Sequence, residues 1–254
     1  MEQTLPTVSV ITVCYNSAKT LGAALQSVAD QDYRNVEHIV IDGASSDGTA
    51  DILDRFRGGL AAVVSEPDKG IYDAMNKGLQ RASGDIIAFL NADDQYVSPH
   101  VLSRVAGQIA EHGLDALMGD VTFFREGQPG QVVRRYRSDR FSPGRLAWGW
   151  MPAHPALFLR REVVRKAGLF KTDYRIAGDF EYIIRIFHGQ QLRYRHLPEV
   201  LVRMQAGGVS TNGLQAKIRL NREVLRACRE NGIRTNMLKI LSKYPIKLFE
   251  MLAR

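Results

Sequence analysis

The sequence predicts an α/β protein: a mostly parallel central sheet with helices on both faces, followed by C-terminal helices. Three observations predict it. Short apolar runs alternate with amphipathic helical patterns over residues 8–111. The runs are apolar at nearly every position, as strands covered on both faces require. The residues just after each run are polar, and the carboxyl ends of parallel strands are where such sheets bind ligands.

Residues 8–14, 36–41, 60–64 and 86–90 read as strands, and 18–29, 47–56, 71–81 and 99–111 as the helices that follow them. The polar rim then consists of Tyr15 and Asn16, residues 42–47, residues 66–70 and residues 91–94. Beyond residue 114 the pattern changes. Residues 116–124 and 132–137 read as an antiparallel hairpin turning at Gln128-Pro129-Gly130. A short strand over 156–159, helices over 162–167 and 178–188, strand material over 192–204 and a helix over 214–231 follow. The stretch 237–252 has helical periodicity interrupted by Pro245, which removes a backbone donor. We divide the chain into a domain over 1–212 and a basic helical C-terminal appendage over 213–254.

With 254 residues, 45% hydrophobic and 24% charged, the chain has too much apolar content for a disordered or collagen-like polypeptide. Cys14 and Cys228 are too few for a disulfide scaffold, so a reducing, cytoplasmic compartment is expected. The apolar run 8–14 is far short of a membrane span, and no targeting segment is expected. The net charge of +7 is concentrated: residues 215–254 hold ten basic and three acidic residues, whereas the preceding 214 hold 24 of each. A basic end on a neutral body suits an anionic surface, or simply a solvated helix face. Nucleic acid is not expected as a partner, because the basic end lacks interleaved aromatics apart from Tyr244.

Four segments carry candidate chemistry. In Asn91-Ala92-Asp93-Asp94, adjacent carboxylates at a strand end repel unless a cation or donors are present, and Mg²⁺-like ions take one or two carboxylates with phosphate oxygens. The alternative is a helix cap. Asp42 is delivered to the rim by its strand, one position before capping begins, whereas Ser46 and Asp47 suit a cap. Lys69, next to a glycine at a helix start, is placed to meet phosphate; a surface lysine is the alternative. Asp179, at the start of the helix over 178–188, is a candidate general base or a cap.

These segments together resemble the family 2 glycosyltransferases. The matching stretches are residues 8–16, 39–49, 66–78 and 84–94, with His154, residues 158–170 and Gly178-Asp179-Phe180-Glu181 further on. The resemblance implies a GT-A-like nucleotide-binding fold and a role for each matched residue. Tyr15 would pack on the nucleobase and Asp42 bond to it, with Asn91 near the ribose. Asp93 would ligate a divalent cation, Mn²⁺ or Mg²⁺, supported by Asp94, and Asp179 would be the catalytic base. Asn91, Gly43 and Gly178 depart from the family pattern, each standing where an acid is usual.

The expected reaction is inverting transfer of a sugar, from a UDP-sugar in preference, to a glycan or lipid-linked acceptor in cell-surface polysaccharide biosynthesis. Lys69 and the metal would meet the charge of the leaving diphosphate. His154 is placed near the diphosphate or acceptor, or is a structural hydrogen-bonder. Trp148 and Trp150 are read as a sugar platform or as packing, and Asp120 as an acceptor-side candidate. Met237, Ile240, Leu241, Tyr244, Leu248 and Leu252 recur at helical spacing with Lys239, Lys243 and Lys247 elsewhere on the surface, the pattern of a helix on an anionic membrane. The expected location is therefore cytoplasmic, peripheral on the inner face of a membrane; packing on the domain is the alternative. The competing functions are a sugar-nucleotide nucleotidyltransferase, disfavoured by the absence of Gly and Arg in residues 10–17, and a catalytically silent membrane- or polyanion-binding protein on the same fold.

Overall fold

A computed structural model describes residues 5–125, 127–207 and 213–244. The first half alternates as expected: β1 (Val8–Cys14), α1 (Leu21–Ala29), β2 (Val36–Asp42), α2 (Thr49–Phe56), β3 (Ala62–Ser65), α3 (Ile71–Leu79) and β4 (Ile86–Phe89). Then come β5 (Asp94–Tyr96), α4 (Val101–His112), β6 (Ala116–Arg125), β7 (Gln128–Tyr136), β8 (Leu157–Arg160), α5 (Arg161–Ala167), α6 (Gly178–Phe187) and β9 (Tyr194–Gln205), with α7 (Gly213–Glu230) and α8 (Met237–Leu241) last.

The strands form one sheet in the order β3-β2-β1-β4-β8-β6-β9-β5, with β7 on β6. β3, β2, β1 and β4 are mutually parallel. The chain steps outward from β1 to β3 and then returns to place β4 on the other side of β1. That reversal is a topological switch point, and it opens a crevice at the carboxyl ends of β1 and β4. The far half is mixed: β8 runs antiparallel to β4 and β6, β9 parallel to β6, and β5 antiparallel to β9. The α/β class and its parallel core are thus as the sequence predicts.

Alternate residues of each strand enter opposite cores. Ile11, Val13, Ile39, Ile41, Ile87 and Phe89 pack with α3, α5, α6 and α7, whereas Val8, Val10, Ile86 and Ala88 pack with α4. Val40 joins Leu21, Leu25 and Leu53 beneath α1 and α2. Residues 213–244 contribute to this core. Val224, Ala227 and Cys228 of α7 and Ile240 of α8 lie in the same buried cluster as Ile11 and Phe89.

Two local expectations are corrected. The hairpin turns earlier than Gln128-Pro129-Gly130, because the β6–β7 ladder closes at Arg125 opposite Gln128, with Gly127 at φ 72°. The basic stripe on the last helix is interrupted: Lys243 is 6% exposed and Ile240 fully buried. The rest of that reading, including Pro245, Lys247, Leu248 and Leu252, lies outside the described residues.

Candidate active site

The loops after β1, β2 and β3 form one wall. Tyr15 follows β1 and is 65% exposed. Asp42 ends β2 and is buried; one oxygen accepts from Ser65 Oγ at 2.6 Å, and the Ser45 backbone N–H donates at 3.1 Å. The Ser45 hydroxyl and, at 3.7 Å, the Cys14 thiol also donate to it. Burial and that neighbouring carboxylate push the Cys14 thiol pKa far up, so it stays protonated. Ser45 Oγ in turn accepts from Asn16 N–H at 2.7 Å, tying the first loop to the second. Ala44 bends this loop with φ 61°, a left-handed conformation costing a residue with a Cβ about 1 kcal/mol. Gly43 explains its own departure from the family pattern: a Cβ there would overlap the Asp68 carboxylate and lie 3.3 Å from the Tyr15 ring. Asp68, from the loop after β3, thus stands where an acid at 43 would project. Its other oxygen accepts from Gly70 N–H at 2.8 Å, and Asp73 accepts from Lys69 N–H at 3.0 Å, so this loop runs directly into α3. The Lys69 side chain is exposed there.

The loop after β4 supplies the next group. Asn91 Nδ2 donates to Asp94 Oδ2 at 3.2 Å, and Asp94 N–H to the Asn91 carbonyl at 3.0 Å. Asn91 Oδ1 and Asp94 Oδ1 are buried without a hydrogen-bond partner among the described residues. Desolvation first, and the Asp93 charge second, push the Asp94 carboxyl well above its usual range. Desolvation also raises Asp93. Unpaired buried oxygens beside a desolvated carboxylate are costly by themselves and fit a hard cation. Among the described residues no cluster of three or more His, Cys, Asp or Glu side chains forms a complete ligand set.

His154 stands beside this loop because β8 runs antiparallel to β4, bringing the segment before β8 to the carboxyl end of β4. Its ring stacks on Phe89, the last residue of β4, with centroids 5.4 Å apart. Burial lowers its pKa to about 4, so the ring is neutral, and its Nε2 has no partner among the described residues.

Asp179 occupies the first turn of α6, where it accepts from Phe180 N–H at 2.7 Å, and is not the capping residue. Desolvation, the largest cause, pushes its pKa up to about 6. It faces Tyr72 in the first turn of α3, directly after the Asp68–Gly70 loop. The Tyr72 hydroxyl donates to the Ile176 carbonyl at 2.8 Å. A Cβ on Gly178 would lie 2.6 Å from the Tyr72 ring, so only glycine lets α6 approach so closely. The start of α6 is thereby fastened to the end of α3 that borders the rim.

Asp120 does not belong to this group. It is fully buried on β6, accepting from Arg135 at 2.6 and 2.9 Å, from Ser138 N–H at 3.0 Å and paired with His196 at 2.7 Å. The carboxylate is engaged in joining β7 and β9 to β6. Trp148 is 43% exposed with Lys239 over its ring, and the Trp150 backbone N–H donates to the Arg145 carbonyl. Sequence reasoning also missed Asp68 and Tyr72. A third carboxylate at a polar strand end was the available signal for Asp68; for Tyr72 there was none.

The 3-2-1-4 parallel half-sheet, with acids from successive loops at its carboxyl rim, is the fold of GT-A-type glycosyltransferases. The sequence model of Glycosyl transferase family 2 matches residues 9–168, and the chain belongs to that family. A PGL/p-HBAD biosynthesis glycosyltransferase of Mycobacterium bovis is 33% identical over 225 residues, 85% of this chain and 84% of that protein. Among solved structures, S. aureus TarS 1-349 in complex with UDP-GlcNAc superposes with a TM-score of 0.69 at 20% identity, covering 87% of this chain and 66% of that one. The mannosyltransferase PcManGT of Pyrobaculum calidifontis, in complex with GDP-Man and Mn²⁺, gives 0.64 at 24% identity, covering 89% and 64%. The chain thus spans just under two thirds of the length of either structure.

Proposed function

We propose that this glycosyltransferase moves a sugar, with inversion, from a nucleoside diphosphate donor to a hydroxyl of a glycan or lipid-linked acceptor, with Asp179 as the base. The observation that carries the reading is the set of buried polar atoms unpaired within the described protein, Asn91 Oδ1, Asp94 Oδ1 and His154 Nε2, gathered at the carboxyl end of β4. Buried polar groups are normally paired, and a diphosphate with its counter-cation would pair all three. A UDP-sugar is favoured, as in the TarS complex; the GDP-Man complex of PcManGT makes a guanosine donor the second choice.

Tyr15 offers an exposed ring for a nucleobase to stack on. Asp42 serves that site from behind, fixing Ser45 and the loop wall, and Asp68 presents the carboxylate beside the ring. Asp93 and Asp94 would hold Mg²⁺ or Mn²⁺, with Asn91 between them and the ribose and phosphate oxygens completing the ligand set. Such an ion, when bound, supplies positive charge to the leaving diphosphate. Lys69 adds a mobile cation at the start of α3, and the neutral His154, in the tautomer protonated at Nε2, donates to a phosphate or hydroxyl oxygen.

In the transfer step the acceptor oxygen forms the new bond to the anomeric carbon and its proton passes to Asp179. The carbon–oxygen bond to the β-phosphate breaks, and its electron pair leaves with the diphosphate. A carboxylate of pKa about 6 suits this task, being ionised at neutrality yet more basic than an ordinary aspartate. The acceptor, a peripheral membrane position and polysaccharide assembly remain part of this proposal; the M. bovis relative is named for PGL/p-HBAD biosynthesis. No helix of the described residues is long and apolar enough to cross a membrane. The test is Asp179→Asn. Donor turnover should fall roughly 10²–10⁴-fold while calorimetric UDP binding is retained, and unaltered turnover would reject the base assignment.

A further inference from the structure

Where the first turn of α6 gets its hydrogen bonds leads to a residue outside the sheet. The first backbone N–H groups of a helix need acceptors, and a Ser, Thr, Asp or Asn at the N-cap normally supplies one. The N-cap of α6 is Ala177, which has no side-chain acceptor. The three residues that lead into α6 are held instead by Glu223 of α7. Its carboxylate accepts from the backbone N–H groups of Arg175 at 3.1 Å and of Ile176 and Ala177 at 2.8 Å. On its opposite side, the same segment is held through the Ile176 carbonyl by the Tyr72 hydroxyl. Asp179 lies two residues beyond this double grip.

The rest of α7 is anchored so that Glu223 cannot drift. Glu230 accepts from Lys171 at 2.9 Å, from Tyr174 at 3.0 Å and from Arg226 at 2.6 Å. Lys171 also pairs with the fully buried Glu181 of α6 at 3.0 Å.

We infer that Glu223 is a positioning residue for the base, fixing through residues 175–177 where Asp179 stands. The inference rests on the reading of Asp179 as base. Asp179 is faced by the Tyr72 phenol from α3 and by Glu223 from α7. Of these, Glu223 is the one whose charge adds to desolvation in raising Asp179. Glutamine at 223 keeps the size but loses the charge, and it turns donor hydrogens toward backbone donors.

The experiment compares wild type, Glu223→Gln, Glu223→Asp and Asp179→Asn in hydrolysis of UDP-glucose, UDP-N-acetylglucosamine or GDP-mannose, whichever the wild type turns over fastest. Hydrogen exchange is measured in parallel at amides 175–177. Glu223→Gln should lower kcat about tenfold or more, since misplacement by an ångström is felt at that scale. UDP binding should be unchanged, exchange at 175–177 faster, and the acid limb of the pH profile displaced to lower pH. Glu223→Asp keeps the charge but falls one methylene short, so it should leave the limb in place and still lose rate; it also serves if the glutamine variant does not fold. Wild-type kcat and acid limb in Glu223→Gln, with Asp179→Asn inactive, would overturn the inference and leave the base assignment standing. Wild-type turnover in Asp179→Asn would remove both.

Discussion

Asp179 sets the expected pH response of the enzyme at the scale of one residue. It accepts a proton only when ionised, and burial raises its pKa to about 6. Turnover should therefore be full at pH 7.5 and fall as pH drops through about 6, a limb that an ordinary aspartate would place near pH 4. A pH profile of kcat checks this. On the proposed reading, Asp93 holds the cation. Asp93→Ala should abolish the dependence of UDP binding on Mn²⁺ or Mg²⁺ and weaken it at least tenfold when the ion is present, which calorimetry with and without chelator will show. The placement of Asp42 at the end of β2, of Asp93 just after β4 and of Asp179 at a helix start was legible in the sequence, because apolar runs and helical periodicity mark where those elements end and begin. What each carboxylate touches was not. Ser65 reaches Asp42 across 23 positions and Glu223 reaches Ile176 across 47, and no local pattern encodes such pairs.

At the scale of elements, the legible strands were those whose period the chain states locally. β1 was read to the residue and β2 to within one, as continuous apolar runs bounded by polar turns. β5 is three residues long, too short to show a period, and exists because β9 offers it an antiparallel edge. The β6–β7 turn was misplaced because Pro and Gly at 129 and 130 gave a stronger turn signal than Gly127, and they fall instead at an irregularity in the ladder, between Gln128 opposite Arg125 and Val132 opposite Phe124. Asp120 tests how far such pairing matters. Asp120→Asn removes the charge opposite the part-exposed Arg135 and weakens a buried acceptor, which costs about 2–3 kcal/mol. Tm should fall by roughly 10 °C while kcat per folded molecule is kept; a selective loss of kcat without a fall in Tm would restore an acceptor-side role.

For the whole molecule, the decisive matter is that the basic C-terminal segment is core. Val224, Ala227, Cys228 and Ile240 are at most 2% exposed. Uncovering even the larger of these side chains and the surfaces beneath them costs about 1.5–3 kcal/mol each, against a total stability of about 5–15 kcal/mol. Truncation after residue 212 should thus abolish cooperative thermal unfolding, whereas truncation after 244 should preserve it. The second truncation, sedimented with anionic liposomes beside the full chain, separates membrane attachment from folding; equal sedimentation would assign no membrane role to residues 245–254. The charge imbalance was visible in the sequence, but periodicity alone cannot say whether a helix's apolar stripe meets lipid or protein, and here Ile240 and Lys243 turn inward.

The reach of Glu223 back to residues 175–177 also fixes an order of events during synthesis. Chains emerge from the ribosome N-terminus first, so the parallel strands and rim loops are synthesised before α7 but complete their core only when it arrives. On the proposed reading, a nascent polypeptide caught at that stage would have neither a settled core nor a fixed carboxylate to deprotonate an acceptor. Catalytic competence would arrive late and abruptly, with the helix that closes the fold.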